Sequence, residues 1–115
     1  MRRRLKSIFS DARFRTFVAE INDQVCGMIG TLTHASHEHN DFTGRITALV
    51  VSRKHRRCGI GRALIAAAEK DFVEKRVTRV SLTTRFTREH AHRFYQALGY
   101  SRTGFRFAKQ LLLVT

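Results

Sequence analysis

Two glycines one residue apart, in Arg56-Arg57-Cys58-Gly59-Ile60-Gly61, stand between a β-branched run and a run rich in alanine and leucine. The chain there passes from a strand into a helix. Gly59 and Gly61 allow close backbone approach to a ligand, and the unbonded amides of a helix start attract anionic oxygens. Arg56, Arg57 and Arg62 add charge-assisted contacts. Physically this is a cradle for a pyrophosphate. Competing phosphate readings fit less well. A triphosphate loop would end in Gly-Lys-[Ser/Thr], and a dinucleotide fold would show a third glycine with an acidic residue about twenty positions later. A plain strand-to-helix turn flanked by solvated arginines is the reading without a ligand.

The other reactive side chains form no comparable pattern. His34, His37 and His39 share a polar segment, but no cysteine joins them and the spacing is not that of a structural zinc site, so no metal is expected. His90 and His92 do not share a helix face. Cys26 and Cys58 are too few for a disulfide framework and suit a reducing compartment.

The elements that must position the loop follow from periodicity. Arg15–Ile21 and Val25–Leu32 read as a hairpin around Asn22-Asp23, and Gly27 and Gly30 mark a bulge or a close backbone approach. His34–Thr43 reads as a loop. Ile46–Val51 is an apolar strand whose weak alternation suits burial on both faces. Arg62–Glu74 is a helix with Ala63, Leu64, Ala67, Ala68 and Phe72 on its apolar side, and Val77–Thr84 is the next strand. A second helix, capped by Thr87, carries the stripe Ala91, Phe94, Tyr95 and Leu98 and stops at Gly99. Two short strands broken at Gly104 finish the chain. The expected fold is α/β (α+β): a mixed, mainly antiparallel central sheet with helices packed on it.

With 115 residues the chain is one domain, 1–115, and residues 1–13 are expected to be a basic flexible arm or remnant helix. The apolar runs Ala63–Ala68 and Leu111–Val114 are far shorter than the ~20 residues that cross a bilayer. Interruption of the basic start by Asp11, Arg13 and Arg15 argues against a signal peptide, so a cytoplasmic protein is expected. A formal charge of +13 implies anionic partners and disfavours polycationic ones. The twenty-two Lys and Arg residues are scattered and no nucleic-acid fold signature accompanies them, so nucleic acid is not the expected partner.

The segment Leu49-Val50-Val51-Ser52-Arg53-Lys54-His55-Arg56-Arg57-Cys58-Gly59-Ile60-Gly61-Arg62-Ala63-Leu64 resembles the coenzyme-A motif of the GNAT superfamily of N-acetyltransferases, [Gln/Arg]-x-x-Gly-x-[Gly/Ala]. Ala91-His92-Arg93-Phe94-Tyr95-Gln96-Ala97-Leu98-Gly99-Tyr100 is similar to the family's Ala-x-x-[Phe/Leu]-Tyr-x-x-x-Gly-[Phe/Tyr]. The resemblance implies an acyl-CoA N-acyltransferase fold lacking most of its first strand and helices. It also implies acetyl-CoA as cosubstrate and an amine acceptor, either a small molecule or a protein or peptide. Leu49, Val50 and Val51 would line the pantetheine arm, and Arg56, Arg57, Cys58, Gly59, Ile60, Gly61 and Arg62 the pyrophosphate. Arg88 stands where the family often has an asparagine. Tyr95 falls on the tyrosine that protonates the departing thiolate, and would also touch the cofactor.

On that resemblance, an amine attacks the thioester directly while the amide of Val50 or Val51 stabilises the oxyanion. A phenol of pKa ~10 keeps its proton at neutral pH yet can deliver it to a thiolate of pKa ~8.5. Glu38, His39 and Asp41 are candidate bases for the acceptor, with Glu20 as another. The short N-terminal part predicts self-association, with a homo-oligomer covering exposed apolar surface. The alternative is a nucleic-acid-binding or scaffold protein that keeps the fold without catalysis.

Overall fold

The computed structural model describes residues 3–11, 13–35, 42–56, 58–83, 89–103 and 106–111. The described elements are β1 (Arg3–Ser10), β2 (Phe14–Ile21), β3 (Gln24–Ala35), β4 (Phe42–Val51), α1 (Ile60–Glu74), β5 (Val77–Thr83), α2 (Glu89–Ala97), β6 (Ser101–Thr103) and β7 (Arg106–Gln110). The strands form one sheet in the order β1-β2-β3-β4-β5-β7-β6. Only β4 and β5 run parallel; the other neighbours are antiparallel. A parallel pair needs a crossover, and α1 supplies it.

Residues 3–10 are neither the arm nor the remnant helix expected from their charge. They pair with β2 from Arg3↔Ile21 to Ser10↔Arg15. The carboxylate of Glu20 makes this possible: Lys6 Nζ lies 2.6 Å and Arg4 Nη2 3.3 Å from its oxygens, which neutralises cations that look soluble in isolation. Asp11 closes the following turn by accepting the N–H groups of Arg13 and Phe14, both at 2.7 Å. Those amides hold its carboxyl below the usual carboxylate range. Asn22 and Asp23 both take positive φ, 52° and 66°, as a two-residue hairpin turn demands.

The core lies between the sheet and both helices. Leu64, Ile65, Ala68 and Phe72 of α1 pack with Ile29, Ile46, Val80 and Leu82, and Tyr95 of α2 joins the same cluster beside Phe107. The ring of Phe72 lies directly on Gly44, where a β-carbon would come within 2.6 Å of it. Truncating such a fully buried ring costs about 3–5 kcal/mol. Among the described residues no helix covers the opposite face. Burial of Ile46–Val51 on both faces therefore does not hold: β4 is central in the sheet, yet Val50 is 56% exposed. The loop expected from His34 to Thr43 is also shorter, because β3 reaches Ala35 and β4 starts at Phe42, which pairs with Val77.

Both irregularities anticipated at Gly27 and Gly30 occur. Next to Gly27, Cys26 is an extra residue opposite β2, since the register steps from Ala19↔Gly27 to Glu20↔Val25. Opposite Gly30, the extra residue is Thr47 of β4, between the pairs Gly30↔Ala48 and Thr31↔Ile46. Its Oγ1 would lie 2.9 Å from a β-carbon on Gly30, so glycine makes the room.

Candidate active site

The last β4–β5 pair is Ile46↔Leu82, although β4 continues to Val51. Beyond Thr47 the central strand therefore has a neighbour only on its β3 side among the described residues, and the sheet opens as a fork. A bulge turns a strand and ends regular pairing, which accounts for the parting at this point. The backbone groups facing into the fork follow from the antiparallel ladder. Ser52 N–H donates to the Cys26 carbonyl at 2.7 Å, so alternate residues of β4 face β3. Val50, opposite Met28, is committed to that ladder, whereas the N–H groups of Leu49 and Val51 point into the fork. Of the two amides expected to meet an oxyanion, Val51 fits and Val50 does not.

At the far end of β4 a single 3-10 turn, Arg53–His55, leads to the glycine loop. Gly59 is the N-cap of α1, with φ 78°, and no side chain caps the helix. A β-carbon on Gly59 would meet nothing within 4 Å. The first helical amide to close on a carbonyl is Ala63, at 3.0 Å from Gly59 O, so the N–H groups of Ile60, Gly61 and Arg62 precede the bonded ladder. No acidic residue stands in this first turn. Arg53, Lys54, Arg56 and Arg62 are exposed around it, and Arg56 Nε approaches Val51 O at 3.4 Å. An open glycine, amides ahead of the bonded ladder and exposed cations are the features that suit an anion at a helix start.

Gly61 also has a packing role. Its missing side chain accommodates Phe94 of α2, whose Cζ is 3.2 Å from the site of a β-carbon, while Val51 Cγ2 is 3.8 Å away. Gly27 does the same for the helix itself: a β-carbon there would meet Ile60 Cγ2 at 3.0 Å and Leu64 Cδ1 at 3.2 Å. These contacts seat the first turn of α1 against β3 and bring α2 to the mouth of the fork. Sequence reasoning assigned no site role to Gly27, Thr47 or Phe94; the two strand glycines were the visible signal.

Tyr95 lies in α2 at the edge of burial, with ring centroids 5.4 Å from Phe94, 6.2 Å from Tyr100 and 5.6 Å from Phe107. Its carbonyl accepts the N–H of Tyr100 at 3.0 Å, where Gly99 (φ 94°) ends the helix. Tyr100 O–H donates to Glu69 Oε2 at 2.8 Å, and Lys109 Nζ donates to Glu69 Oε1 at 3.0 Å and to Leu98 O at 2.9 Å. Burial and the Glu69 charge push the Tyr100 phenol far above its ordinary range, so it stays protonated. This latch ties the end of α2 to α1 and β7. His92, not anticipated as core, is buried and packs at a tilt against Phe107, ring centroids 5.2 Å apart.

Glu20 is a poor base. Its hydrogen bond with Lys6, helped by Arg4, holds its carboxyl below the usual range. Asp71 is likewise engaged: Arg15 Nη1 donates to its Oδ1 at 2.7 Å, and Lys75 Nζ lies 3.2 Å from Oδ2. Cys58 is exposed with its sulfur 3.7 Å from Arg56 O, and Cys26 is buried. Glu38, His39, Asp41, Arg57 and Arg88 lie outside the described residues.

The model of the acetyltransferase (GNAT) family matches residues 1–100. The chain belongs to that family. As a GNAT protein it is similar to aminoalkylphosphonate N-acetyltransferase of Salmonella typhimurium, with 37% identity over 90 residues, covering 78% of this chain and 58% of that protein. It is also similar to human N-acetyltransferase 8, with 29% identity over 102 residues, 89% of this chain and 45% of that protein. The chain thus spans about half the length of these curated relatives. Among solved structures, the NatC complex bound to Gag peptide and CoA matches with a TM-score of 0.77 at 20% identity, covering 84% of this chain and 71% of that one. The fold shared with that structure is the acyl-CoA N-acyltransferase fold expected from the two motifs.

Proposed function

We propose that this GNAT protein transfers the acetyl group of acetyl-CoA to a primary amine by direct attack. The fork carries the proposal: it leaves the Leu49 and Val51 amides facing away from β3 with no strand partner among the described residues, at the end of β4 nearest the uncapped start of α1. The pyrophosphate would rest on Gly59–Arg62 with Arg56 and Arg62 nearby, and the thioester arm would run along β4 into the fork. A carbonyl there meets the Leu49 or Val51 N–H, which stabilises the developing oxyanion. The amine nitrogen forms a bond to the acetyl carbon as the C–S bond breaks. Tyr95 gives its proton to the leaving sulfur, and the segment holding Glu38, His39 and Asp41 takes the proton lost by the amine. Arg57 and Arg88 would add cofactor contacts.

The acceptor is a small-molecule or peptide amine, a range supported by the printed activities of the relatives: one is named for aminoalkylphosphonates, and the NatC structure holds a peptide. The free thiols of Cys26 and Cys58 support work in the cytoplasm. Exposed Phe14 and Val50 support pairing of two copies. Thiol release from acetyl-CoA, measured with an amine panel, tests the reaction. Tyr95→Phe should lower kcat by about 10²–10⁴-fold, the usual worth of a general acid, without unfolding the protein. An unchanged kcat on a verified acceptor removes Tyr95 from the mechanism.

A further inference from the structure

On the face without helices, the strands below the fork carry an unusual quartet. The register pairs Thr43 with Arg79 and Arg45 with Ser81, so these four side chains share one face. That face is the one opposite α1, because the alternate residue Gly44 lies under Phe72. Arg45 and Ser81 form the rung immediately before Ile46↔Leu82, the last before the strands part. Arg45 and Arg79 are diagonal neighbours on adjacent strands, and both are exposed. His34 holds Thr43 in place, with Thr43 Oγ1 2.9 Å from its Nδ1.

Nothing among the described residues accounts for two guanidinium groups here. Among the described residues neither lies within ion-pair distance of a carboxylate, whereas Arg4, Lys6, Arg15 and Lys109 all do. Diagonal neighbours on adjacent strands are still within reach of long side chains. Two guanidinium forks on adjacent strands, flanked by hydroxyls, match the several oxygens of a tetrahedral oxyanion group.

We propose that Arg45 and Arg79, with Thr43 and Ser81, bind an anionic phosphonate or phosphate group on the acceptor, so that the substrate is an amine carrying such a group. The proposal rests on the acetyl-transfer reading and adds the substrate class. Arg45 is four residues before Leu49, about 13 Å along an extended strand. An arginine side chain and a short aminoalkyl chain bridge that gap together. The acceptor then enters from the open face, opposite the helices, and its amine reaches the fork while its anion stays on the arginines. These arginines set specificity and do not touch the reacting atoms.

The test compares 3-aminopropylphosphonate and 3-aminopropyl phosphate with n-butylamine in the thiol-release assay, for the wild type, Arg45→Gln, Arg79→Gln and Arg45→Lys. The anionic amines should exceed the neutral one in kcat/KM by tenfold or more at low salt, and the advantage should shrink as salt screens it. Each Gln variant should lose most of that advantage through KM, leave butylamine unchanged and keep its affinity for acetyl-CoA, while Arg45→Lys restores part. Equal rates on charged and neutral amines, or equal losses on both in the Gln variants, overturn the proposal while acetyl transfer stands. If acetyl-CoA binds but no amine is acetylated, the transfer reading fails. Calorimetric titration with 3-aminopropylphosphonate then decides for the site alone: saturable binding lost in Arg45→Gln supports it, and no binding to the wild type overturns it. Tighter, arginine-dependent binding of a single-stranded oligonucleotide would make the patch a nucleic-acid surface and overturn it as well.

Discussion

Phe94 occupies the space that a side chain on Gly61 would need, its Cζ 3.2 Å from the site of a β-carbon. The contact joins the start of α1 to α2, so the glycine loop and the Tyr95 helix are placed by one another. Gly61→Ala should push Phe94 and α2 outward by a few tenths of an ångström. The expected result is a several-fold fall in kcat for acetyl transfer, with overpacking costing about 1–3 kcal/mol of stability. Kinetics beside urea denaturation would measure both. An alanine variant with unaltered kcat would show that α2 is held independently of Gly61.

Gly59 should behave differently. Its φ of 78° is a left-handed conformation, but open space surrounds its α-carbon. Gly59→Ala should cost about 1–2 kcal/mol of backbone strain and weaken acetyl-CoA binding by reshaping the loop. Gly59→Asn, a residue that tolerates this conformation, should recover much of the loss. Calorimetric titration with acetyl-CoA distinguishes the two; equal affinities for the alanine and asparagine variants would mean the left-handed turn is not what the cofactor needs.

Alkaline pH should expose the Tyr100–Glu69 latch. Burial and the carboxylate raise the folded-state phenol well above its unfolded value near 10, so its contribution is complete below pH ~10 and is lost as pH rises further. Urea unfolding from pH 8 to 11 should show stability falling on the alkaline side, and Tyr100→Phe should flatten that limb. The same variant should lose about 1.5–3 kcal/mol at pH 8 for the hydrogen bond to the charged Glu69. An alkaline limb identical in both proteins would assign the loss elsewhere.

Glu20 sits in an ion pair with Arg4 and Lys6, and we expect it to stand outside the catalytic proton path. Its folded pKa is depressed by Lys6 and Arg4, so the stability it lends is present above the unfolded carboxyl value and fades as pH falls through the folded one. Glu20→Gln should therefore loosen β1 and lower stability near neutral pH, with the difference from the wild type closing as pH falls, while leaving the pH dependence of kcat/KM in place. Displacement of the acidic limb of the rate profile would return Glu20 to the list of bases.

Phe72 and Gly44 offer a test of the core beneath the fork. A β-carbon on Gly44 would come within 2.6 Å of a ring that is fully buried and cannot swing away. Gly44→Ala should lower Tm by roughly 5–15 °C, corresponding to about 1–3 kcal/mol. Adding Phe72→Leu should recover part of it, because the two sites share one volume. A thermal scan showing additive losses would exclude that coupling.

The local code of the chain was sufficient for the glycine loop, both helices and most of the strands. Gly59 ahead of an alanine-rich run, Gly99 after an apolar stripe and Asn22-Asp23 between strands each act through their own backbone, so neighbours in sequence determine them. The two motifs, with Tyr95 in the second, could be read for the same reason. Tertiary structure alone decided the rest. Residues 3–10 became a strand because Glu20, far along the chain, neutralises Lys6 and Arg4. The fork depends on Thr47 being one residue too many against β3, and registers between strands are not written in either strand separately. Likewise, Gly61 and Gly27 look like loop and strand glycines until Phe94 and Ile60 fill the space beside them. Sequence fixes what a residue can do locally; contact across the fold fixes what it is used for.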